Sequence, residues 1–326
     1  MHYGDASAPI DSLAIVDLSS RFAGLTLSSP LVAGACPLTD GVDGARQLED
    51  AGAAALVMCS LFEEEILRPP APGDLPVTGS GGPDAYLELI RKMKQAVRIP
   101  VVASLNGTAD LGWSGFGALA EEAGADALEL NIYHVSTNLW TSSSTLESHL
   151  LDFVRAVRGT VRIPVIAKLY PFFTSLVSFA RQLDETGTSG IVLFNRCAQP
   201  DIDTETLAVR PEPRLSSSVD LLDRLYWVAM LAGRVELSLA VTGGVHTASD
   251  VIKAVLAGAD AVQMVSALLV HGPRHVGAVK GGIERWLERR GHESLACVKG
   301  RLSLEHVGDA PYPRVGGLSP VQRWGV

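Results

Sequence analysis

Two glycines and a serine at the ends of two apolar runs are well placed to bind an anion. Gly243-Gly244 stands just after the run Leu239–Val241, and Ser266 stands just after Ala261–Met264. Glycine lets the backbone approach a ligand closely and point its N–H groups at an anion, and a helix beginning at Ser266 adds donors and a favourable dipole. We call Gly243, Gly244 and Ser266 the phosphate clamp, because the arrangement predicts a site for the phosphate of a bound cofactor.

Three nitrogen-bearing side chains stand at the ends of other apolar runs. Lys168 lies near the end of one run, and Asn131 and Asn195 each directly follow another. A buried lysine is costly unless an anion or a negatively charged ring meets it, although the side chain of Lys168 can also extend to solvent at a rim. An asparagine amide suits either a ring edge or the capping of its own loop. With the phosphate clamp, these residues predict a ligand site built from several strand ends.

The elements that must position these residues are eight short apolar runs, each followed by a helical segment. The runs are Leu31–Ala33, Ala54–Met58, Ile99–Ala103, Ala127–Leu130, Pro164–Leu169, Gly190–Phe194, Leu239–Val241 and Ala261–Met264. Continuous runs suit parallel strands buried on both faces, and a spacing of roughly 30 residues per strand–helix unit predicts a single α/β domain, a (β/α)8 TIM barrel. An open doubly wound sheet is the alternative, and the lack of Gly-x-Gly-x-x-Gly after the first strand disfavours it.

The predicted barrel spans residues 17–299, between an N-terminal extension, 1–16, and a C-terminal tail, 300–326. A hairpin is predicted over Asp17–Leu27, ahead of the first barrel strand. In the phosphate clamp region, Thr247 is the expected N-cap of the helix that follows the glycines.

Three insertions follow the second, fourth and sixth predicted strands, at Leu67–Gly82, Val135–Thr145 and Arg196–Ser218. Any one of them alone can equally be a mobile surface loop. All three are expected on the C-terminal face of the barrel, where together they favour a lid or a substrate site. Glu129 is expected to face a neighbouring helix or the base of the barrel, and we do not assign it to the site.

Composition narrows the range of partners and compartments. The chain has 326 residues, 47% of them hydrophobic and 19% charged, and a formal net charge of -9, which argues against nucleic-acid or anionic-membrane partners. Neither a secretory signal nor a membrane span is evident in the sequence, so a cytoplasmic protein is expected. The four cysteines are scattered without a Cys-x-x-Cys pair, so no metal or iron–sulfur site is predicted.

The ordered motifs resemble the dihydroorotate dehydrogenase family from about Leu18 to Trp286. They are Ala33-Gly34-Ala35, Glu129-Leu130-Asn131, Ala167-Lys168-Leu169, Asn195, Thr242-Gly243-Gly244 and Gln263-Met264-Val265-Ser266-Ala267. The resemblance implies an FMN-binding barrel that oxidises dihydroorotate to orotate and passes the electrons to fumarate, NAD or quinone. It also implies a cytoplasmic enzyme of pyrimidine biosynthesis, commonly dimeric. Because this chain lacks cluster cysteines, any iron–sulfur relay would need a separate subunit.

Carried over residue by residue, the resemblance implies a set of FMN contacts and one lysine with a charge role. The implied contacts are Ala33, Gly34, Ser60, Asn131, Lys168, Asn195, Gly243, Gly244 and Ser266. Lys168 matches the lysine near the pyrimidine edge of the flavin, where a cation stabilises the negative charge of the reduced ring.

The substrate side departs from the family pattern. Cys59-Ser60 stands where the family has Lys-Ser, and Arg68–Asp74 replaces the substrate loop. His134 stands at or beside the position of the family's catalytic base; imidazole can deprotonate a C–H bond, or His134 can be a polar loop residue without that role. Cys59 and Cys197 either face the flavin or are small buried thiols. Arg196 either meets an anionic substrate or lies on the loop surface.

Three functions therefore remain open. The first is oxidation of dihydroorotate or a related dihydropyrimidine, by C–H deprotonation and hydride transfer to FMN. The second is a flavin-binding homologue without dihydroorotate activity, acting as an electron-relay or regulatory subunit. The third is a barrel that uses the phosphate clamp for a phosphorylated metabolite.

Overall fold

A two-stranded hairpin precedes the barrel, as predicted. The computed structural model describes residues 16–63, 81–107, 113–132, 136–196, 200–211 and 214–308. Strands β1 (Ser20–Phe22) and β2 (Leu25–Leu27) pair antiparallel, with Ala23 and Gly24 at positive φ in the turn between them. Phe22 and Leu27 are buried against inward-facing residues of the barrel strands, so the hairpin packs onto the barrel interior.

Eight parallel strands close into a barrel, which confirms the predicted fold. They are β3 (Leu31–Ala33), β4 (Ala55–Phe62), β5 (Val101–Asn106), β6 (Ala127–Ile132), β7 (Val165–Leu169), β8 (Gly190–Leu193), β11 (Ser238–Thr242) and β12 (Ala261–Met264). Each pairs with the next in chain order, and β12 pairs with β3 to complete the ring. The strands form from the predicted apolar runs, because parallel strands covered on both faces favour such residues.

Helices cover the outside of the barrel. They are α1 (Val42–Asp50), α2 (Pro83–Ala96), α3 (Trp113–Glu122), α4 (Ser143–Arg158), α5 (Leu176–Asp184), α6 (Leu221–Leu231), α7 (Ala248–Ala257), α8 (Ser266–His271), α9 (His275–Arg290) and α10 (Leu304–Val307). The larger apolar core joins these helices to the strands. Within the described part of the chain, no helix is long and apolar enough to cross a membrane.

Two elements differ from the sequence expectations. The second barrel strand, β4, continues to Phe62, so Cys59 and Ser60 lie within it and not beyond its end. The insertion after β8 contains an antiparallel hairpin, β9 (Pro200–Asp203) and β10 (Ala208–Pro211). Of the other two insertions, residues 64–80 and 133–135 lie outside the described residues.

The described start of the predicted tail is attached to the barrel. The backbone N–H of Gly300 donates to the carbonyl of Val255 at 2.9 Å, and that of Leu302 donates to the carbonyl of Leu256 at 2.8 Å. The boundary after residue 299, the extension 1–16 and the division of the chain as a whole stay predictions.

Candidate functional site at the carboxyl ends of the strands

Asn131, Lys168 and Asn195 lie together at the carboxyl ends of β6, β7 and β8. Asn131 and Lys168 are register partners on neighbouring strands, and Asn195 Nδ2 donates to Asn131 Oδ1 at 2.8 Å. The backbone N–H of Asn195 donates to the carbonyl of Leu169 at 2.6 Å, which fixes Asn195 beside β7. Asn131 and Lys168 are buried, and Asn195 is partly buried. The predicted convergence of these three side chains is present.

Lys168 points into the barrel and forms an ion pair there. Its Nζ lies 3.1 Å from Glu129 Oε1 and 3.2 Å from Gln263 Oε1. Gln263 Nε2 also donates to Glu129 Oε2, so each of the three side chains contacts the other two. We call Glu129, Lys168 and Gln263 the interior network. Lys168 is buried in this network. The alternative interpretation, in which its side chain extends to solvent at the rim of the barrel, is therefore wrong.

The expectation for Glu129 is also wrong. Its carboxylate is fully buried inside the barrel and bonded to Lys168, and it faces neither a helix nor the barrel base. The signal was available in the sequence, since residues two apart on a strand share a face. Ala127 and Asn131 flank Glu129 at that spacing, and Ala127 belongs to the cluster of inward-facing residues. Gln263 is a further residue of the site that the sequence analysis missed. It lies two residues after inward-facing Ala261 on the same strand and therefore faces inward as well.

A serine in the loop before α6 joins the two halves of the phosphate clamp. The backbone N–H of Gly244 donates to Ser216 Oγ at 3.0 Å. Ser216 donates to Ser266 Oγ from both its backbone N–H and its hydroxyl, each at 2.9 Å. Gly244 and Ser266, predicted to act together, are therefore two hydrogen bonds apart through Ser216. His246 Nε2 lies 3.5 Å from Ser216 Oγ, at the edge of the same group.

The backbone of the phosphate clamp requires glycine. Gly243 and Gly244 have φ of 80° and 86°, in the left-handed region that favours glycine. A Cβ at position 244 would overlap the backbone nitrogen of Leu221, at the start of α6. Behind the turn, buried Arg224 donates from Nε to the carbonyl of Thr242 at 3.1 Å and holds the end of β11.

The helix after the clamp begins as predicted. Thr247 is the N-cap of α7, and its hydroxyl oxygen accepts from the backbone N–H of Asp250 at 3.3 Å. Asp250 Oδ2 in turn accepts from the backbone N–H groups of His246 and Thr247, at 3.1 and 2.9 Å. This reciprocal capping box fixes the direction in which the chain leaves the clamp.

Ala33 and Gly34 lie against β12, beside the interior network. The backbone N–H of Gly34 donates to the carbonyl of Met264 at 2.9 Å. A Cβ on Gly34 would stand 2.7 Å from Val265 Cγ2 and 3.2 Å from Gln263 Cβ. The close approach therefore requires glycine, and it brings the end of β3 next to the interior network.

Ser60 and Cys59 form the β4 side of the site. Ser60 Oγ lies 2.8 Å from Ser104 Oγ on β5. Burial, and then the negative charge of Asp40, raise the pKa of Cys59 from 9.0 to about 12, although a hydrogen bond to Thr39 and the charge of Lys168 lower it. Cys59 is therefore a neutral thiol at physiological pH. It can contribute neither a positive charge nor a reactive thiolate.

Several predicted residues lie outside the described part of the chain. They are His134, the loop Arg68–Asp74 and Cys197. Arg196 is described and exposed, and its backbone N–H donates to Asn195 Oδ1 at 2.9 Å. The role of His134 as a base stays a prediction.

The donor set of these residues fits a flavin mononucleotide. Lys168 Nζ has three donors, of which the interior network uses two. Asn131 Oδ1 accepts from Asn195, and within the described part of the chain Asn131 Nδ2 has no acceptor, which suits donation to a ring edge. The hydroxyls of Ser216 and Ser266 and the glycine turn supply a separate group of small polar atoms suited to a phosphate. A single elongated ligand with an anionic end and a polar ring edge matches both groups.

A closed parallel barrel with polar side chains gathered at the carboxyl ends of its strands is the architecture of TIM-barrel enzymes. The particular family follows from sequence comparison: the chain belongs to the dihydroorotate dehydrogenase family, whose model matches residues 78–287. This result confirms the resemblance and the expected class of oxidoreductase.

Individual relatives match over most of their length. A protein of Aeropyrum pernix named "Putative dihydroorotate dehydrogenase A (fumarate)" is 30% identical over 304 residues, covering 87% of this chain and 97% of the relative. The dihydroorotate dehydrogenase B (NAD(+)) catalytic subunit of Desulforudis audaxviator is 30% identical, covering 85% and 94%. The catalytic subunit of the same name from Methanosarcina acetivorans is 28% identical, covering 87% and 95%.

Proposed function

We propose that the protein is an FMN-dependent oxidoreductase that oxidises dihydroorotate or a related dihydropyrimidine. The observation that carries the proposal is the convergence of Lys168, Asn131 and Asn195 at adjacent strand ends. Bound FMN would supply the hydride acceptor for the substrate C–H bond. Membership of the dihydroorotate dehydrogenase family supports the same reaction type.

The residues of the site have distinct proposed tasks. Lys168 donates to the ring edge where negative charge develops, and Asn131 donates beside it. The phosphate clamp, together with Ser216, holds the phosphate end. His134 removes the substrate proton. The flavin ring is flanked on the β3 and β4 side by Ala33, Gly34 and Ser60.

The test is the visible spectrum of the purified protein and its response to substrate. The protein is expected to be yellow and to be bleached by dihydroorotate without oxygen. His134→Ala is expected to retain FMN and to lose reduction by dihydroorotate, while reduction by dithionite persists. An unchanged reduction rate in His134→Ala would remove His134 as the base. A colourless protein that binds no added FMN would refute the flavin assignment.

The second candidate is a flavin-binding homologue without dihydroorotate activity, acting as an electron-relay or regulatory subunit. It is favoured by Cys59, since a neutral thiol stands where the family resemblance implies a lysine. A yellow protein that dithionite reduces, but that dihydroorotate leaves oxidised, would support this candidate. Retention of a flavin spectrum distinguishes it from a barrel that binds a phosphorylated metabolite.

We propose that the protein binds a protein partner, on the basis of the names of its relatives and of apolar side chains exposed on its surface. Two relatives are named as catalytic subunits, which supports a separate electron-transfer partner for this chain. Exposed apolar side chains on the β9–β10 hairpin, Ile202, Leu207 and Val209, together with Trp140, supply surface for such a partner or for a homodimer. Sedimentation velocity of the purified chain measures its own association state.

A further inference from the structure

Glu129 is a buried charged residue to which the proposed function gives no task. Its side chain is fully excluded from solvent, and both of its oxygens are bonded within the interior network. Isolating a carboxylate from water is costly, and apolar side chains of similar volume often stabilise a protein interior as well as a buried ion pair does. Its position directly behind Lys168 therefore calls for a reason in the chemistry of the site.

We propose that Glu129 is a positioning residue that balances the charge of Lys168 and thereby sets the reduction potential of bound FMN. The inference rests on the proposed function, because it requires FMN beside Lys168. The geometry supports it in two ways. Glu129 Oε1 lies 3.1 Å from Lys168 Nζ, so the two charges offset each other, and Gln263 contacts both, so neither side chain can turn away alone.

The effect on the potential follows from charge balance. Substrate oxidation places two electrons and one proton on the flavin, which adds one negative charge to the ring. An uncompensated Lys168 would favour that charge strongly, whereas Lys168 paired with Glu129 favours it less. Glu129 therefore keeps the potential low, and a low potential lets the reduced site pass its electrons on to an acceptor.

Glu129→Gln is the informative substitution, because glutamine keeps the size of the side chain and an oxygen that accepts from Lys168 Nζ while it removes the charge. Its amide group takes the place of the oxygen that accepts from Gln263 Nε2. We expect the variant to bind oxidised FMN with nearly wild-type affinity and reduced FMN at least about tenfold more tightly, which raises the midpoint potential by about 30 mV for a two-electron couple. The measurements are an anaerobic potentiometric titration of the FMN-loaded protein and the quenching of FMN fluorescence on binding.

Two control variants separate the effect of the Glu129 charge on the potential from an effect of the substitution on the structure. Asp126→Asn makes the same chemical change at the opposite end of β6, where Asp126 pairs with Lys94 at 2.6 Å, and it should leave the potential unchanged. Glu129→Asp keeps the charge and should stay nearer the wild-type potential than Glu129→Gln.

If Glu129→Gln alone does not fold, Lys168→Met is compared with Lys168→Met/Glu129→Gln, in which no unpaired cation arises. The double variant should have the higher potential, because it lacks the negative charge of Glu129.

The outcomes are distinct. A potential raised in Glu129→Gln and unchanged in Asp126→Asn supports the charge-balancing role. An unchanged or lowered potential in Glu129→Gln, with FMN bound, overturns this inference and leaves the proposed function intact. Equal weakening of oxidised and reduced FMN binding also overturns it, since a merely structural residue gives that result. A wild-type protein that binds no FMN refutes the proposed function and the inference together.

Discussion

Replacing Lys168 by methionine is expected to destabilise the folded protein, apart from any effect on cofactor binding. The substitution keeps an unbranched apolar side chain, one atom shorter than lysine, and removes the charge. Glu129, which has no exposed surface, then keeps a carboxylate with no cation beside it. Removing one partner of a buried ion pair costs about 3–5 kcal/mol, because the remaining charge is desolvated without compensation.

The same loss of unfolding free energy can be expressed as a decrease in the melting temperature, Tm. Unfolding entropy of about 2.1 cal/mol/K per residue gives about 0.7 kcal/mol/K for a chain of 326 residues. A loss of 3–5 kcal/mol therefore lowers the Tm by about 4–7 °C. Calorimetry with and without added FMN separates this loss from weaker ligand binding, since only the latter depends on FMN concentration.

A partly exposed ion pair and a double variant provide the controls. Lys94→Met removes the cation from the pair with Asp126, which retains access to water, and should cost about 1 kcal/mol or less. Lys168→Met/Glu129→Gln leaves no buried charge and should recover most of the lost stability. A Lys168→Met variant within 1 kcal/mol of wild type, or a double variant less stable than Lys168→Met, would refute the reasoning.

Three further predictions concern other parts of the site. Gly244→Ala should cost about 2 kcal/mol or more in unfolding free energy and weaken FMN binding, because its Cβ would overlap the backbone of Leu221 at positive φ. Ser216→Ala removes the group that joins Gly244 to Ser266 and should cost about 1–3 kcal/mol, measured by urea unfolding. Because the pKa of Cys59 is raised to about 12, the folded state holds a proton that the unfolded state loses above pH 9. That stability is present below pH 9 and is lost as pH rises toward 12. Urea midpoints measured from pH 8 to 10.5 should therefore fall more steeply in wild type than in Cys59→Ala.

The fold could be predicted from the sequence because its strands and helices have clear local sequence patterns. Most residues of each barrel strand are apolar, and a run such as Val165-Ile166-Ala167 favours a strand buried on both faces. The N-cap of α7 could be predicted because threonine is favoured at that position and Thr247 directly precedes the helical pattern of Ala248–Ala257. The proximity of Gly244 to Ser266 could be predicted because the two residues follow neighbouring parallel strands, whose carboxyl ends meet at one edge of the barrel.

The side-chain contacts that join these elements could not be predicted from the sequence. The loop before α6 contains the serines 216–218, and only tertiary packing selects Ser216 as the one that joins Gly244 to Ser266. The direction of Glu129 could have been inferred from strand alternation, but its bond to Gln263 joins β6 to β12 across the barrel. Local spacing carries no information about such a pairing.

The closure of the barrel has a consequence for the order in which the chain folds. The ring is completed by β12 and β3, with Val262 opposite Leu31, and Asp17 is hydrogen-bonded to residues Glu293 and Leu295. During synthesis, β3 emerges early and keeps an unpaired edge until β12 has been made. Such distant pairings form slowly, and exposed strand edges invite association with other chains. The nascent protein therefore carries an aggregation-prone strand edge until its last barrel strand has been made.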